Sequence, residues 1–206
     1  MTFSIYELKP RFQQLLQPLL AGLARRHVTP NQVTLLATGL SLAYGAALAL
    51  RPLDWRLWAG VPGFMLLRMA LNAIDGMLAN FSNQKTRMGA VLNELGDQIS
   101  DAALVLPFAL VPDICAPLLV VAALSALLVE FAGVLAVLVG SARRFEGPMG
   151  KSDRAFAFAL LAILIASGAG SLWLNALLVL ILLGLVWTLV NRLKRALQHP
   201  VAPPTP

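Results

Sequence analysis

A run without any charged residue extends from Ala155 to Asn191, and it limits what the chain can fold into more than any other feature. It is longer than the about 20 residues that one helix needs to cross a bilayer. The segment Gly168–Ser171, with the sequence GAGS, interrupts the run and is typical of a tight turn. We therefore predict two membrane-spanning helices that are joined by this turn.

The composition extends this prediction to the whole chain. Hydrophobic residues make up 58% of it and charged residues 13%, with a mean hydropathy of +0.76. A soluble domain typically has about 45–50% apolar and 25% charged residues. Disorder requires low hydrophobicity, and a disulfide-stapled secreted domain requires more than the single Cys115. We expect an integral membrane protein in which the Cys115 thiol is buried.

The other long apolar runs each predict one further crossing. They lie at residues 28–50, 55–81, 88–111 and 117–138. With the two helices after residue 155, they predict an all-α fold of six transmembrane helices over residues 28–196. Residues 1–27 place apolar side chains mostly at helical spacing, which predicts an amphipathic helix at the membrane interface; the alternative is a frayed polar leader. Residues 197–206 are rich in proline and are expected to be disordered.

The basic residues indicate an orientation in the membrane. The chain has 16 Lys and Arg residues against 10 Asp and Glu residues, and most of the basic ones follow the second and fourth runs or lie near the termini. This bias predicts cytoplasmic termini, although Arg51 and Arg56 count against it. A pI near 10.3 alone could suggest nucleic acid. The placement of the basic residues instead favours membrane lipids as partners, with no nucleic acid.

Four of the ten acidic residues lie within the second and third spans. Burying a carboxylate in a membrane costs about 2.5–3.5 kcal/mol, so four unpaired ones would cost on the order of 10 kcal/mol. Helical spacing places their side chains on facing sectors of the two spans, together with nearby amides. These residues are Asn72 and Asp75 on the second span, and Asn93, Glu94, Asp97 and Asp101 on the third.

This group of oxygen ligands predicts a site for a hard cation, Mg²⁺, Mn²⁺ or Ca²⁺, because neither Cys nor His lies nearby to favour zinc. The alternative is a set of interhelical hydrogen bonds in which Arg68 pairs with one carboxylate. That alternative explains one or two of the acids but not all of them. The small residues Gly76, Ala79, Gly89 and Ala90 flank the group and fit either helix packing or the close approach of a phosphate.

The residues from Asn72 to Asp97 resemble the signature of the CDP-alcohol phosphotransferases, D-x2-D-G-x2-A-R-x8-G-x3-D-x3-D. Every spacing agrees, and Asp75 and Asp97 stand at the second and fourth Asp positions. Asn72, Asn80 and Asn93 stand at the first Asp, the Arg and the third Asp. An Asn offers a metal its carbonyl oxygen but no charge, so we expect this variant to hold two divalent ions less readily. Glu94 and Asp101 could restore some of the charge.

The resemblance implies a membrane enzyme of phospholipid biosynthesis that displaces CMP from a CDP-linked donor, such as CDP-diacylglycerol, with the hydroxyl of a small alcohol. It implies one or two Mg²⁺ or Mn²⁺ ions at the acids and amides named above, Asp97 as the general base, a homodimer, and a multi-pass protein of the bacterial inner membrane with its active site facing the cytoplasm. Residues expected to contact the nucleotide and diphosphate are Gly76, Ala79, Asn80, Lys85, Thr86 and Gly89.

Basic residues after the fourth span are candidates for binding an anionic acceptor such as a sugar or polyol phosphate, or they only determine topology. These residues are Arg143, Arg144, Lys151 and Arg154. Two other functions stay open. The missing ligand charges fit a protein that binds CDP-lipid without efficient turnover. Buried acids alone would also fit a small ion or solute carrier.

Overall fold

The computed structural model describes residues 5–198, with side chains from Phe12 onward. This part of the chain is helical and contains no strand. A short 3-10 helix, Leu106–Leu110, follows the fourth α-helix. The α-helices are α1 (Ile5–Arg25), α2 (Pro30–Leu50), α3 (Trp55–Phe81), α4 (Arg87–Val105), α5 (Ala116–Leu138), α6 (Lys151–Ala166) and α7 (Ser171–Gln198).

Four of the described helices, α2, α3, α5 and α7, are long and apolar enough to cross a membrane. This confirms an all-helical fold with several potential membrane spans. The other two predicted spans correspond to α4, which carries several acids, and to α6, which has only 16 residues. The predicted turn at Gly168–Ser171 separates α6 from α7, and Gly168 has a φ of +74°, a conformation that glycine adopts without strain.

The described chain forms two compact units. The first comprises the chain up to Tyr44 and Leu66–Leu104, and the second comprises Gly45–Met65 and the chain from Val105 on. The first unit therefore contains the predicted signature, and the second contains the basic residues that follow α5.

In the first unit, α1 packs against α2 and α3 through apolar side chains. Leu20 of α1, Val33 of α2 and Ile74 of α3 are buried in one cluster. The opposite face of α1 is open, since Leu15 is 78% exposed. The predicted helix within residues 1–27 is therefore confirmed from Ile5 onward, and residues 1–4 lie outside the described residues.

Helix α2 begins at Pro30, two residues inside the predicted span of residues 28–50, and ends with it at Leu50. The Thr29 hydroxyl accepts a hydrogen bond from the Gln32 backbone N–H at 3.3 Å, and the Gln32 side-chain oxygen accepts one from the Thr29 N–H at 2.9 Å. Pro30 occupies the first helical position, where no hydrogen-bond donor is needed. This reciprocal cap stabilises the first turn of α2 and fixes where the helix starts.

In the second unit, aromatic residues form part of the core. Trp58, Phe108 and Phe158 pack in a row, with ring centroids 4.6 Å and 5.7 Å apart, and all are buried. The prediction of a buried Cys115 is wrong. Cys115 is exposed because it lies in the connection just before α5, where its backbone N–H donates to the Asn175 side-chain oxygen at 2.8 Å.

Candidate functional site

A cavity of about 260 Å³ lies within the first unit, among α2, α3 and α4. Its walls come from the first turns of α2 and α4, from the C-terminal end of α3, and from the loop between α3 and α4. The lining residues are Pro30, Asn31, Thr34, Asp75, Gly76, Ala79, Gln84, Lys85, Thr86, Gly89, Ala90 and Asn93. Seven residues predicted for the metal or the nucleotide are therefore brought together: Asp75, Gly76, Ala79, Lys85, Thr86, Gly89 and Asn93.

Asp75 is the acidic residue of the cavity wall. It is only 6% exposed, and the Thr34 hydroxyl of α2 donates a hydrogen bond to its Oδ2 at 2.9 Å. A hydrogen bond to a carboxylate stabilises its charged form and fixes its orientation. Thr34 thus holds the Asp75 carboxylate at the cavity, whose wall also includes Asn31 and Asn93.

Two helix N-termini line the cavity, those of α2 and α4. The Thr86 hydroxyl caps α4 by accepting a hydrogen bond from the Gly89 backbone N–H at 2.9 Å. Lys85, next to this cap, is exposed and adds a full positive charge. Helix N-termini carry partial positive charge and bind phosphate groups. The cavity is therefore electrostatically suited to an anionic ligand on one side and a cation at Asp75.

The glycines around the cavity have different surroundings. A Cβ at Gly89 would lie 3.0 Å from the Asn31 Oδ1, and one at Gly96 would lie 2.7 Å from the Thr38 Oγ1, so these glycines allow α4 to approach α2 closely. A Cβ at Gly76 would meet no atom within 4 Å. Packing explains Gly89 and Gly96, whereas Gly76 leaves open space in the cavity wall.

Asp97 and Asp101 contact Arg68 rather than the cavity. The Arg68 Nη1 pairs with Asp101, while its Nη2 donates to the Asp97 backbone carbonyl at 3.0 Å and lies 3.6 Å from the Asp97 Oδ1. Asn72 donates from its side-chain nitrogen to the same Oδ1 at 2.8 Å. Arg68 therefore pairs with two carboxylates of α4, whereas the alternative considered from the sequence paired it with one carboxylate.

The remaining predicted residues of this region lie elsewhere. Neither Glu94 nor Asn80 lines the cavity, and the Asn80 side chain donates to the Gly76 backbone carbonyl at 2.9 Å. Within the described residues, no three Asp, Glu, His or Cys side chains come close enough together to hold a metal ion. The predicted ligand set is thus divided between Asp75 and Asn93 at the cavity and Asp97 and Asp101 at Arg68.

A second charged cluster lies in the second unit, around a carboxylate of α5. Glu130 is 6% exposed and accepts a hydrogen bond from Arg154 at 2.8 Å. Its carboxylate also lies 3.4 Å from the Arg192 Nη1 and 3.8 Å from the Arg143 Nη2. Arg192 in addition donates to the Val129 carbonyl at 2.7 Å. The cluster therefore has three cations around one anion, an excess of positive charge.

Arg144 and Lys151 are the other candidate acceptor residues. Arg144 donates to the Ser141 hydroxyl at 2.6 Å and to Glu146 at 3.3 Å. Burial raises the pKa of Glu146, but hydrogen bonds from the backbone, including the Phe145 N–H, and from Arg144 outweigh it, so the net pKa is lowered. Lys151 is the first residue of α6 and is half-buried.

Sequence reasoning missed several of these residues. Thr34 lies one turn after Pro30 on α2, so the two residues are on the same face of the helix. Both line the cavity. Glu130 and Arg192 were visible as charges within or at the end of apolar runs. Because an isolated carboxylate in such a run is costly, a cation partner for Glu130 could have been sought among the basic residues that follow.

Four helices that could cross a membrane, with a polar cavity between helices, define the class as a helical membrane protein. The sequence model of the CDP-alcohol phosphatidyltransferase family matches residues 27–192. The chain therefore belongs to the CDP-alcohol phosphatidyltransferase family, as the resemblance of its signature implied.

Relatives and solved structures agree with this assignment. The chain is 43% identical to inner membrane protein YnbA of Escherichia coli K12, over 94% of this chain and 96% of that protein. It is 37% identical to a phosphatidylinositol phosphate synthase of Corynebacterium glutamicum, over 45% of this chain and 40% of that protein.

Two crystal structures of the Mycobacterium tuberculosis phosphatidylinositol phosphate synthase share the fold. The structure with CDP-DAG bound has a TM-score of 0.75 and 22% identity, over 94% of this chain and 99% of that one. The structure with manganese and citrate has a TM-score of 0.73 and 22% identity, over 92% of each chain. At this level of identity, the likeness concerns the fold.

Proposed function

We propose that this protein transfers a phosphatidyl group, or a similar phospho-alcohol group, from a CDP-linked lipid to the hydroxyl of a small alcohol. The observation that carries the proposal is the cavity of the first unit, in which the carboxylate of Asp75 faces two helix N-termini and Lys85. Membership of the CDP-alcohol phosphatidyltransferase family supports it. A phosphatidylinositol phosphate synthase with this fold binds CDP-DAG, which supports CDP-diacylglycerol as the donor.

In this proposal the diphosphate of the donor binds in the cavity. The first turns of α2 and α4 line the cavity and offer N-terminal backbone N–H groups, and Lys85 and Thr86 are proposed to contact the diphosphate oxygens. Gly76 and Gly89 keep the walls free of side chains, with Ala79 adding only a methyl group. Asn80, whose side-chain nitrogen donates to the Gly76 carbonyl, is also proposed to contact the nucleotide.

The cavity fits a Mg²⁺ or Mn²⁺ ion shared with the donor. It offers the carboxylate of Asp75 and the amide oxygens of Asn31 and Asn93, and Mg²⁺ is commonly bound by one or two carboxylates together with substrate phosphates. A related synthase is seen with manganese. When bound, the ion supplies charge neutralisation at the diphosphate, which is the main requirement in phosphoryl transfer. Thr34 orients the Asp75 carboxylate toward this position.

Asp97, one turn after the cavity residue Asn93 on the same face of α4, is our proposed base. It accepts the proton of the acceptor hydroxyl as the hydroxyl oxygen attacks the lipid-bearing phosphorus; the bond from that phosphorus to CMP breaks, and CMP leaves. Arg68 and Asn72 hold the Asp97 carboxylate in one orientation, as a positioned base requires. Glu94 and Asp101 are proposed to supply nearby negative charge, and Asp101 does so as the partner of Arg68.

The excess positive charge around Glu130 favours an acceptor that carries a phosphate. Arg154 and Arg192 are buried there, and Arg143 lies at the edge of the cluster. Arg144 and Lys151 extend the positive charge along the loop before α6 and its first turn. A sugar or polyol phosphate matches this charge better than a neutral or cationic alcohol such as serine or choline.

We further propose six crossings, with α4 and α6 completing the set. By helix geometry α4 and its 3-10 extension and α6 measure about 24 Å or more, close to the about 30 Å of a bilayer core. Phe156, Leu160 and Ile163 form an exposed apolar stripe on α6 that suits contact with lipid. An even number of crossings places both termini on the same side of the membrane. The positive-inside bias favours the cytoplasm as that side, with the active site facing it. The likeness to an inner membrane protein supports the bacterial inner membrane.

Homodimer formation is proposed from the family resemblance. Gly39 is open to a neighbouring helix, since a Cβ there would meet nothing within 4 Å. Gly133 already contacts its own chain, because a Cβ there would lie 2.6 Å from the Arg144 carbonyl oxygen, so we do not propose it for the dimer contact.

A second candidate function is binding of CDP-lipid without turnover. The pairing of Asp97 with Arg68 and the absence of a three-acid metal group among the described residues favour it. The two functions are separated by incubating the purified protein with radiolabelled CDP-diacylglycerol, Mg²⁺ or Mn²⁺ and a panel of alcohols with and without phosphate. The transferase predicts metal-dependent CMP release that Asp75→Asn removes. Tight CDP binding without CMP release from any acceptor would establish the binder.

A further inference from the structure

Arg68 is a buried cation in the middle of an apolar helix. It is 5% exposed and lies on α3, one turn before Asn72. Its guanidinium contacts two of the acids of α4 that do not line the cavity, Asp97 and Asp101. A guanidinium buried in this way is stable only where its charge is paired, and here two carboxylates share it.

Arg68 contacts the oxygens of Asp97 and Asp101 that would have to bind a divalent ion placed between these two residues. The Nη2 donates to the Asp97 carbonyl at 3.0 Å and lies 3.6 Å from Oδ1, and Nη1 pairs with Asp101. An ion bound by these oxygens would have to displace a group that is covalently tethered to α3. It would also lie a few ångströms from a permanent positive charge and be repelled by it.

The side-chain amide of Asn72 fits the pairing of Asp97 with Arg68. Its side-chain nitrogen donates to the Asp97 Oδ1 at 2.8 Å. An ionised aspartate at the same position could not donate, and it would add a negative charge beside Asp97 that the single guanidinium does not balance. The amide at residue 72 therefore suits a carboxylate already paired with an arginine, rather than one waiting for a metal.

We propose that Arg68 is a built-in cation that takes the place of a divalent ion at Asp97 and Asp101, so that the chain binds one divalent ion, at Asp75. This inference rests on the proposed function for the assignment of the ion to the cavity. Arg68 acts through Asp97 as a positioning residue, and it holds Asp97 as a base instead of a metal ligand.

The test counts Mn²⁺ ions bound to the purified full chain by electron paramagnetic resonance, with Mn²⁺ alone as the probe. We expect one Mn²⁺ per wild-type chain. Arg68→Gln should bind a second ion, because it exposes Asp97 and Asp101 to the metal, whereas Arg68→Lys, which keeps the charge, should still bind one. Two ions in the wild type, no ion in the wild type, or no second ion in a folded Arg68→Gln protein would overturn the proposal.

If Arg68→Gln does not fold, two isosteric variants decide the question. Asp75→Asn should weaken Mn²⁺ binding by about tenfold or more, since it removes a ligand charge. Asp97→Asn should change it by less than about threefold, since Asp97 is not a ligand and its charge is already paired. Equal losses in the two variants would refute the proposal. This count does not depend on turnover: one Mn²⁺ per chain without any CMP release would support the role of Arg68 and refute only the proposed transfer.

Discussion

Alanine substitutions at two glycines of the first unit should separate ligand binding from packing. In Gly76→Ala, the added methyl group enters the open space of the cavity and meets no protein atom within 4 Å. In Gly96→Ala, it lies 2.7 Å from the Thr38 Oγ1 and 3.4 Å from the Thr34 Cγ2. Both glycines are within helices, so both variants gain the same helix propensity, about 1 kcal/mol.

The structure sets the expected sizes of the two effects. Thr38 cannot easily yield in Gly96→Ala, because its hydroxyl already donates to the Thr34 carbonyl at 2.9 Å. Overpacking of this kind costs about 1–3 kcal/mol, so Gly96→Ala should have a net destabilisation of about 0–2 kcal/mol. Gly76→Ala should be neutral or up to about 1 kcal/mol more stable. Its methyl group should instead weaken CDP binding by a similar 1–3 kcal/mol, which is roughly 5- to 150-fold.

Thermal unfolding of the detergent-solubilised proteins measures the first effect, and calorimetric titration with CDP measures the second. Gly96→Ala serves as the control for a glycine that is needed for helix contact rather than for ligand. The reasoning is refuted if Gly76→Ala binds CDP as tightly as the wild type, or if it loses as much stability as Gly96→Ala.

Three further predictions concern the charged groups and the helix caps. Glu130→Gln should raise the affinity for inorganic phosphate about tenfold, because it removes the anion that competes for Arg154. Glu146→Gln should not change this affinity. Phosphate titration measures both variants, and equal changes would contradict a phosphate site at the Glu130 cluster. The pKa of Glu146 is lowered in the folded state, so its carboxylate stabilises the fold fully above its ordinary pKa, and this stabilisation is lost as pH falls through the lowered pKa. The difference in melting temperature between wild type and Glu146→Gln should therefore disappear in acid. A difference that stays constant with pH would contradict this prediction. Thr86→Val should destabilise the protein by about 1 kcal/mol through loss of the α4 cap, as seen in thermal unfolding, and no change would show that this cap is dispensable.

The helices could be predicted from the sequence because apolar runs and turn residues act locally. The cap at Thr29 and the break at Gly168 define helix ends without reference to the rest of the chain. The spacing of the signature likewise predicted that Asp75 and Asn93 would come together, and both line the cavity.

The pairing of the acids could not be predicted in the same way. Helical periodicity places Asp97 and Asp101 on one face, but it does not show whether a metal or Arg68 neutralises them, since that depends on how α3 and α4 are rotated and how far the side chain of Arg68 reaches. Similarly, the basic residues after α5 were recognised as a group, while their arrangement around Glu130 depends on contacts between residues far apart in the chain.

The product lipid tests the central claim most directly. Purified protein is incubated with CDP-diacylglycerol, Mn²⁺ and each acceptor, and the extracted lipids are analysed by mass spectrometry beside an Asp75→Asn control. The account predicts a new lipid whose mass equals the phosphatidyl group plus the acceptor, formed together with CMP and absent from the control. Phosphatidic acid as the sole product, or no conversion with any acceptor, would contradict transfer to an alcohol.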